Sequence, residues 1–277
     1  MQHLRPRAPL ALLCLSLLIA CAAAPLPPEH QARLAALLPA DALLLGEQHD
    51  APEHQQLQRQ TVEWLTARGE LAALAMEMAE QGRDTRALPP SASEAEVRQA
   101  LAWHDAGWPW PHYGPVVMAA VRAGVPVLGA NLPRARLREA MADTTLDARL
   151  PPAALTEQER RIREGHCHAL PEARIRPMVR VQIARDLAMA DTLAKARQPG
   201  RTVLLVAGNG HVQRALGVPL HLSEEFKTKV LSAQAQKAQA ATDMEASRAG
   251  VDLVWPTPPL PPRDHCAAFR PPAPAAR

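Results

Sequence analysis

Residues 42–49 read Ala-Leu-Leu-Leu-Gly-Glu-Gln-His, an apolar run that ends at a glycine and continues into polar side chains. A short apolar run bounded by polar segments is typical of a strand buried on both faces of a parallel sheet. Three further runs share this pattern, at Leu71–Met76, Val125–Gly129 and Thr202–Ala207. Helical patterns lie between them, at Pro52–Arg68, Tyr113–Ala123 and Met178–Ala196. Strands that alternate with helices predict an α/β fold, with a mainly parallel sheet flanked by helices.

After the fourth run the pattern is less regular. A helix rich in Ala and Gln after Ser223 and a short strand at Lys229–Ala233 are both compatible with the sequence, and Val251–Trp255 fits a last strand. The mature length of roughly 250 residues fits one large domain or two small ones, and we expect one domain with helical insertions. We therefore predict four segments: a signal peptide at 1–20, a linker and first helix at 21–39, the α/β domain at 40–255, and a Pro-rich tail without packed structure at 256–277.

The N-terminus has the order of a secretory signal. Arg5 and Arg7 precede the apolar run Leu10–Ala20, which is too short to span a membrane, and Cys21 follows. Residues 18–21, Leu-Ile-Ala-Cys, resemble the bacterial lipoprotein signal, in which cleavage precedes a cysteine that is then acylated. The alternative is an ordinary signal with a chance cysteine. Because Ala22 and not Asp follows the cysteine, the resemblance implies a lipid anchor in the outer membrane.

The cysteines fit an exported protein. Cys14 leaves with the signal and Cys21 is the expected lipid site, so Cys167 and Cys266 remain in the mature chain. Two cysteines in an oxidising compartment predict one disulfide, which would tie the tail to the body. Two free buried thiols, or one metal-binding cysteine, are the alternatives, although no CxxC spacing supports a metal site.

The charge of the chain excludes one large class of partners. The formal net charge is only +3, and Arg5 and Arg7 of the signal contribute two of these charges. Nucleic-acid-binding domains carry a strongly basic surface, so no nucleic-acid partner is expected.

Chemistry-bearing side chains follow each predicted strand. In open α/β sheets the ligand crevice lies beyond the carboxyl ends of the strands, so these residues should converge there. They include two histidines, two carboxylates, an amide and an arginine, which is typical of a functional site. The predicted pocket contains Gly46, Glu47, His49, Glu77, Asn131, Arg134, Gly208 and His211.

Structural roles for these residues are the alternative. Asp50 stands at capping-box spacing with Glu53 and is better explained as a helix cap. Glu47 could accept backbone N–H groups, and Arg134 could pair with Glu77. Either histidine alone is more often structural than a ligand, but each lies three residues after a glycine at a strand end, which favours a shared site.

A second feature is the concentration of aromatic side chains. The chain has eight Phe, Trp and Tyr residues, and half of them lie between positions 103 and 113. They are Trp103, Trp108, Trp110 and Tyr113, interleaved with His104 and His112. Gly107, Pro109 and Pro111 predict a stiff loop that leads into the helix after Tyr113. Large flat side chains on a loop suit a large flat ligand, whereas an aromatic minicore that fixes the loop to the sheet is equally compatible.

Several segments together resemble the ChaN-like family of haem-binding uptake proteins, within the group that also contains the Tiki and TraB proteins and the erythromycin esterases. The resemblance spans about residues 40–255, in family order. The matching segments are Leu43–His49, Ala75–Met78, Trp110–Tyr113, Asn131–Arg134, Gly165–Cys167, Arg185–Ala190 and Gly208–Val212.

The resemblance implies a role in iron uptake, with haem held at the outer membrane. Family members bind haem iron through a tyrosine oxygen, and Tyr113 is the only tyrosine in this chain. A phenolate is a hard anionic ligand that suits ferric iron. Trp103, Trp108 and Trp110 would cover the porphyrin, and a nearby His112, His166 or His168 would favour the phenolate. A homodimer with haem between two protomers is a further implication.

Two other hypotheses remain open. The Tiki branch implies a metal-dependent hydrolase in which His49 and His211 bind a divalent metal and Glu47 or Glu77 activates water. Against it, no His-Glu-x-x-His segment is present. An erythromycin-esterase-like activity would use the same residues. A non-catalytic envelope lipoprotein with an inert pocket is the third hypothesis. We expect a haem-binding protein rather than an enzyme.

Overall fold

Six parallel strands form one sheet, with helices on both faces. The computed structural model describes residues 25–236 and 250–269. The strands are β1 Ala42–Glu47, β2 Leu71–Glu80, β3 Val127–Asn131, β4 Thr202–Gly208, β5 Thr228–Ala235 and β6 Leu253–Thr257. The α-helices are α1 Pro28–Ala35, α2 Pro52–Ala67, α3 Glu94–Ala100, α4 Trp110–Arg122, α5 Leu137–Ala142, α6 Pro152–Gly165 and α7 Glu172–Ala196. This confirms the predicted α/β class.

The strand order is β3-β2-β4-β1-β5-β6, and every neighbouring pair is parallel. The order brings β1, β2 and β4 together in the middle of the sheet. Because the strands are parallel, their carboxyl ends lie at one edge, and the residues that end them meet there.

Both faces of β1 are buried, as its uninterrupted apolar run predicts. Leu43 and Leu45 belong to a core cluster that includes side chains of α2 and α4, whereas Ala42 and Leu44 pack in a second cluster that includes Met189 of α7. A strand that alternates between two cores has no face left for polar side chains until its last residue. Glu47, the last residue of β1, is therefore the first charged residue of this strand.

A third hydrophobic cluster lies among helices outside the sheet. It joins side chains of α5, α6 and α7, such as Ala140, Ile162 and Ile183. These elements are the helical insertions that the sequence predicts between β3 and β4. No helix among the described residues is long and apolar enough to cross a membrane.

The element boundaries differ from the prediction in ways that affect the site. β1 includes Glu47 and β2 continues to Glu80, so Glu47 and Glu77 lie inside strands instead of following them. Residues 228–235 form β5, which resolves the ambiguity after Ser223 in favour of a strand. The stiff loop ends earlier than predicted, because α4 begins at Trp110 and already contains Tyr113.

A disulfide joins Cys167 to Cys266, with 5.7 Å between their Cα atoms, which confirms the predicted pairing. It connects the turn between α6 and α7 to the segment after β6. The predicted lipid site, Cys21, and the whole signal segment lie outside the described residues. The last strand includes Pro256 and Thr257, which the sequence prediction had placed in the tail.

Candidate functional site

Glu47 lies at the centre of a buried cluster of hydrogen bonds. Its Oε1 accepts the hydroxyl of Tyr113 at 2.7 Å and lies 2.7 Å from Nδ1 of His49. Its Oε2 accepts the side-chain amide of Gln58 and, at 3.3 Å, that of Gln55. Glu47 is 2% exposed. A carboxylate so far from water needs donors on both oxygens, and the cluster supplies them from α2, from α4 and from the segment after β1.

A second buried charge cluster lies beside it. Nδ1 of His211 lies 2.6 Å from Oδ1 of Asp186, and its Nε2 lies 3.5 Å from Oε1 of Glu77. The other oxygen of Glu77 accepts the backbone N–H of Gly208 at 2.7 Å. Asp186 comes from α7, so this cluster ties the helical insertion to the ends of β2 and β4.

The electrostatics of this cluster favour a charged imidazolium between two carboxylates. Burial alone lowers the pKa of His211, but the negative charges of Asp186 and Glu77 outweigh it and raise that pKa to about 10. Burial raises the pKa of Glu77, but the positive charge of His211 outweighs this and lowers the pKa to about 2. For Asp186 the effect of burial is larger than that of the His211 charge, so its pKa rises to about 6.

His49 connects the two clusters. Its Nδ1 bonds Glu47, and its Nε2 lies over Gly208, where an added Cβ would be 3.0 Å from that nitrogen and 3.6 Å from Oε2 of Glu77. A side chain at this position would therefore press on the ring, which would have to shift by a few tenths of an ångström. Burial lowers the pKa of His49, but the bond to Glu47 and the charges of Glu77 and Glu47 raise it above its usual value.

The backbone explains why these side chains meet. Glu47 is in register with Gly208 on the neighbouring strand β4. The register between β2 and β3 shifts between Met76 and Glu80, an irregularity that re-aims side chains in the segment containing Glu77. Asn131 at the end of β3 donates to the carbonyl of Glu77 at 2.9 Å and fixes this irregular segment.

The aromatic segment forms one wall of the site. The ring of Trp108 lies edge-on to His49 at 4.8 Å and to Tyr113 at 5.9 Å between ring centres. Trp103 packs against Trp110 at 5.0 Å, and its indole N–H donates to the carbonyl of Trp108 at 2.8 Å. All four aromatic rings pack in the core cluster next to α2, with Trp103 and Trp108 only partly buried. The segment is thus a minicore that also presents two indoles at its surface.

Tyr113 lies beneath this wall. It is 1% exposed, and its hydroxyl donates to Glu47. Burial, together with the negative charge of Glu47, raises the pKa of the phenol above its usual value. In this arrangement Tyr113 is a neutral hydrogen-bond donor.

A family profile described as haem-binding uptake, Tiki superfamily, ChaN matches residues 33–222, which include every strand end described above except those of β5 and β6. The chain belongs to the ChaN family. The fold agrees, because a solved structure described as cofacial haem binding to ChaN of Campylobacter jejuni superimposes with a TM-score of 0.64. That alignment covers 76% of this chain and 87% of the other, at 22% identity.

Two more distant solved structures align more weakly. The type III effector HopBA1 aligns with a TM-score of 0.42 at 13% identity, over 79% of this chain and 88% of that one. A Bacillus cereus protein aligns with a TM-score of 0.41 at 14% identity, over 76% of this chain and 69% of that one. No curated protein showed a significant match to the sequence.

The structure of this ChaN-family chain brings most of the predicted pocket together. Glu47, His49, Glu77, Gly208 and His211 are linked by the contacts above, and Gly46 is in register beside them. His112 is exposed, with its ring 6.5 Å from that of Tyr113. By contrast, His166 bonds the carbonyl of Ile162 and packs against Phe269, near the disulfide.

Three of the structural alternatives are wrong. The N-cap residue of α2 is Ala51, and no side chain caps this helix, so Asp50 is not its cap. Glu47 accepts from side chains, not from backbone N–H groups. Arg134 is exposed and contacts His104, whereas Glu77 is paired with His211.

Sequence reasoning missed three members of the site. Gln55 and Gln58 of α2 and Asp186 of α7 are all buried and bond the site carboxylate or His211. A signal for the glutamines exists in their spacing, because Gln55 and Gln58 are three residues apart and share a helix face with the apolar Val62, four residues further on. Asp186 lies in the segment Arg185–Ala190 that carries the family resemblance.

The described residues contain no group of three or more His, Cys, Asp or Glu side chains arranged to hold a metal ion. His49 and His211, the ligands of the hydrolase hypothesis, each engage a carboxylate through Nδ1. Metal-bound histidines also commonly donate their other ring N–H to a carboxylate, so the pairing is compatible with either hypothesis.

Proposed function

We propose that this ChaN-family protein is an exported, lipid-anchored haem binder that serves iron uptake. The observation that carries the proposal is that Tyr113 and His49 both bond Glu47 at the carboxyl edge of the sheet, while the ring of Trp108 packs against both of them. One wall of this edge is aromatic and partly exposed, which suits a flat apolar ligand. Family membership supplies the class of ligand, and the phenol supplies the type of iron ligand that ferric haem accepts.

Haem binding through Tyr113 requires the site to open. The phenol is buried below Trp108, and its proton is held by Glu47. Tyr113 would hold the ferric iron through its oxygen once the indole has moved aside, and the phenolic proton would pass to Glu47, which already accepts it in a hydrogen bond. We expect the segment between α3 and α4 that carries Trp108 to move, because Gly107 and Pro109 flank this residue.

The test is a titration of the purified protein with ferric haem, followed by its absorption spectrum. We expect a tyrosinate-type spectrum for the wild type, and loss of that spectrum with weaker binding for Tyr113→Phe. His265→Gln is the control, since it removes an exposed imidazole from the segment after β6 and should leave the spectrum intact. An unchanged spectrum in Tyr113→Phe would show that another group binds the iron.

The anchor and the dimer are parts of the proposal that need their own measurements. Labelled palmitate should be incorporated into the full chain and not into Cys21→Ser. Sedimentation with and without haem should show whether two copies assemble around the ligand, as the resemblance implies. A chain that stays monomeric when loaded would remove the dimer and leave haem binding in place.

A hydrolase is the second candidate, and one observation favours it. His49 and His211 each bond a buried carboxylate, and Glu77 lies between them. Such histidine–carboxylate pairs are used for proton transfer in acid–base catalysis. Elemental analysis and assays with peptide and ester libraries test this candidate: hydrolysis lost in Glu77→Gln would support it, and no hydrolysis of any substrate would refute it.

A further inference from the structure

We propose that Arg134 and His104 form a carboxylate-binding site at the rim of the pocket, which takes the propionate groups of the porphyrin. The inference rests on the proposed function and names the residues that would recognise the charged edge of the ligand. Arg134 follows β3, and His104 lies between α3 and α4, so two separate segments contribute to the pair.

Both side chains have N–H groups that can donate hydrogen bonds to a ligand. Nη2 of Arg134 lies 3.4 Å from Nδ1 of His104, and the backbone N–H of Gly107 donates to the same nitrogen at 3.0 Å. Since Nδ1 is an acceptor, the proton of the neutral ring lies on Nε2, so the imidazole offers one donor of its own in addition to those of the guanidinium. The planar fork of the guanidinium matches the two oxygens of one carboxylate, and the imidazole N–H can serve a second carboxylate, as a ligand with two propionates requires.

Arg134 has no carboxylate partner within residues 25–236 and 250–269. The acid of the neighbouring segment, Asp105, already binds Arg98 and the backbone N–H of Trp110. Glu80 accepts the backbone N–H of Arg134 at 3.1 Å, which fixes the main chain and not the guanidinium. The cation is therefore positioned but not neutralised.

The pair lies next to the aromatic wall. A Cβ on Gly107 would be 3.1 Å from Nδ1 of His104 and 3.8 Å from Nη2 of Arg134, and Trp108 is the next residue. On its other side Trp108 contacts His49. A ligand with a flat apolar plane and a carboxylate edge fits this arrangement. Its plane would lie over Trp108, and its carboxylates would contact Arg134 and His104.

The test compares two porphyrins that share one ring system, one with free propionates and one with both propionates esterified and uncharged. Ferric protoporphyrin IX and its dimethyl ester are titrated in the same detergent into wild type, Arg134→Gln and Arg134→Lys. We expect Arg134→Gln to weaken binding of the diacid about tenfold, the size of one charged hydrogen bond, and to leave the diester unchanged. Arg134→Lys should give an intermediate loss for the diacid, because the charge remains without the fork.

Arg122→Gln is the matched control, since Arg122 is also exposed and lies at the opposite end of α4 from Trp110. It should bind both porphyrins as the wild type does. Suppose that the wild type binds haem, and that Arg134→Gln binds both porphyrins with unchanged affinity or with affinities lowered by the same factor. The carboxylate site is then refuted and the proposed function stands. A wild-type protein that binds neither porphyrin overturns both.

Discussion

At the scale of single residues, Glu47 and His211 carry opposite charges in the same buried region and are stabilised in different ways. Glu47 is held by neutral donors and His49, whereas His211 is held by Asp186 and Glu77. A buried charge is tolerated only when it is paired and hydrogen-bonded. The stability of the buried charges at this edge of the sheet therefore depends on every hydrogen-bond and ion-pair partner being present.

Asp186→Asn should be destabilising. Asp186 is 1% exposed, and its replacement leaves Glu77 as the one carboxylate beside His211, so we expect a loss of about 1 to 3 kcal/mol in the free energy of unfolding. Chemical denaturation measures it. Asp191→Asn is the control, because Asp191 pairs with Lys195 at the surface and should cost less than about 1 kcal/mol. Equal losses in the two variants would mean that the pair of Asp186 and His211 contributes no more to the free energy of unfolding than a surface ion pair does.

At the scale of elements, the strands were predictable and part of the site was not. Each apolar run became a strand because continuous apolar sequence fits only the inside of a covered parallel sheet. Gln55 and Gln58 were missed because glutamine on a helix is usually taken as solvent-facing, and nothing local to α2 shows that a buried carboxylate lies opposite. The start of α4 was missed because prolines at its first turn are as typical of a helix N-terminus as of a loop.

The close contact between β1 and the segment after β4 gives the element-scale prediction. In Gly46→Ala the new Cβ would lie 2.5 Å from Cγ2 of Val212, and closer still to Oδ1 of Asn209. Overpacking at a strand end should cost about 1 to 3 kcal/mol of stability. Thermal unfolding measures the loss.

Gly165→Ala, at the end of α6, is the control for this change. Nothing lies within 4 Å of the Cβ it would add, so stability should be unchanged or slightly higher. A Gly46→Ala protein as stable as the wild type would show that the segment after β4 can move away without cost.

At the scale of the whole molecule, the charge cluster couples the stability of the fold to pH. The pKa of His211 is raised to about 10, so its contribution is complete below the unfolded value near 6.5 and is lost as the pH rises through 10. The free energy of unfolding should fall over this range, by at most about 1.4 kcal/mol per pH unit for this one group. Urea denaturation at a series of pH values measures the slope.

The same series in Asp186→Asn separates His211 from other groups that titrate at alkaline pH. Without the Asp186 charge the pKa of His211 should be lower, so the decline should begin at a lower pH than in the wild type. Two parallel curves would show that His211 does not control this part of the profile.

The central claim is that haem binds at the carboxyl edge of the sheet through Tyr113. The most direct measurement is a crystal structure of the purified protein with ferric haem. We predict that the porphyrin lies against Trp108, with the Tyr113 oxygen on the iron and no longer bonded to Glu47. A porphyrin on another face of the molecule, or one bound while the Tyr113 hydroxyl still donates to Glu47, would contradict the claim.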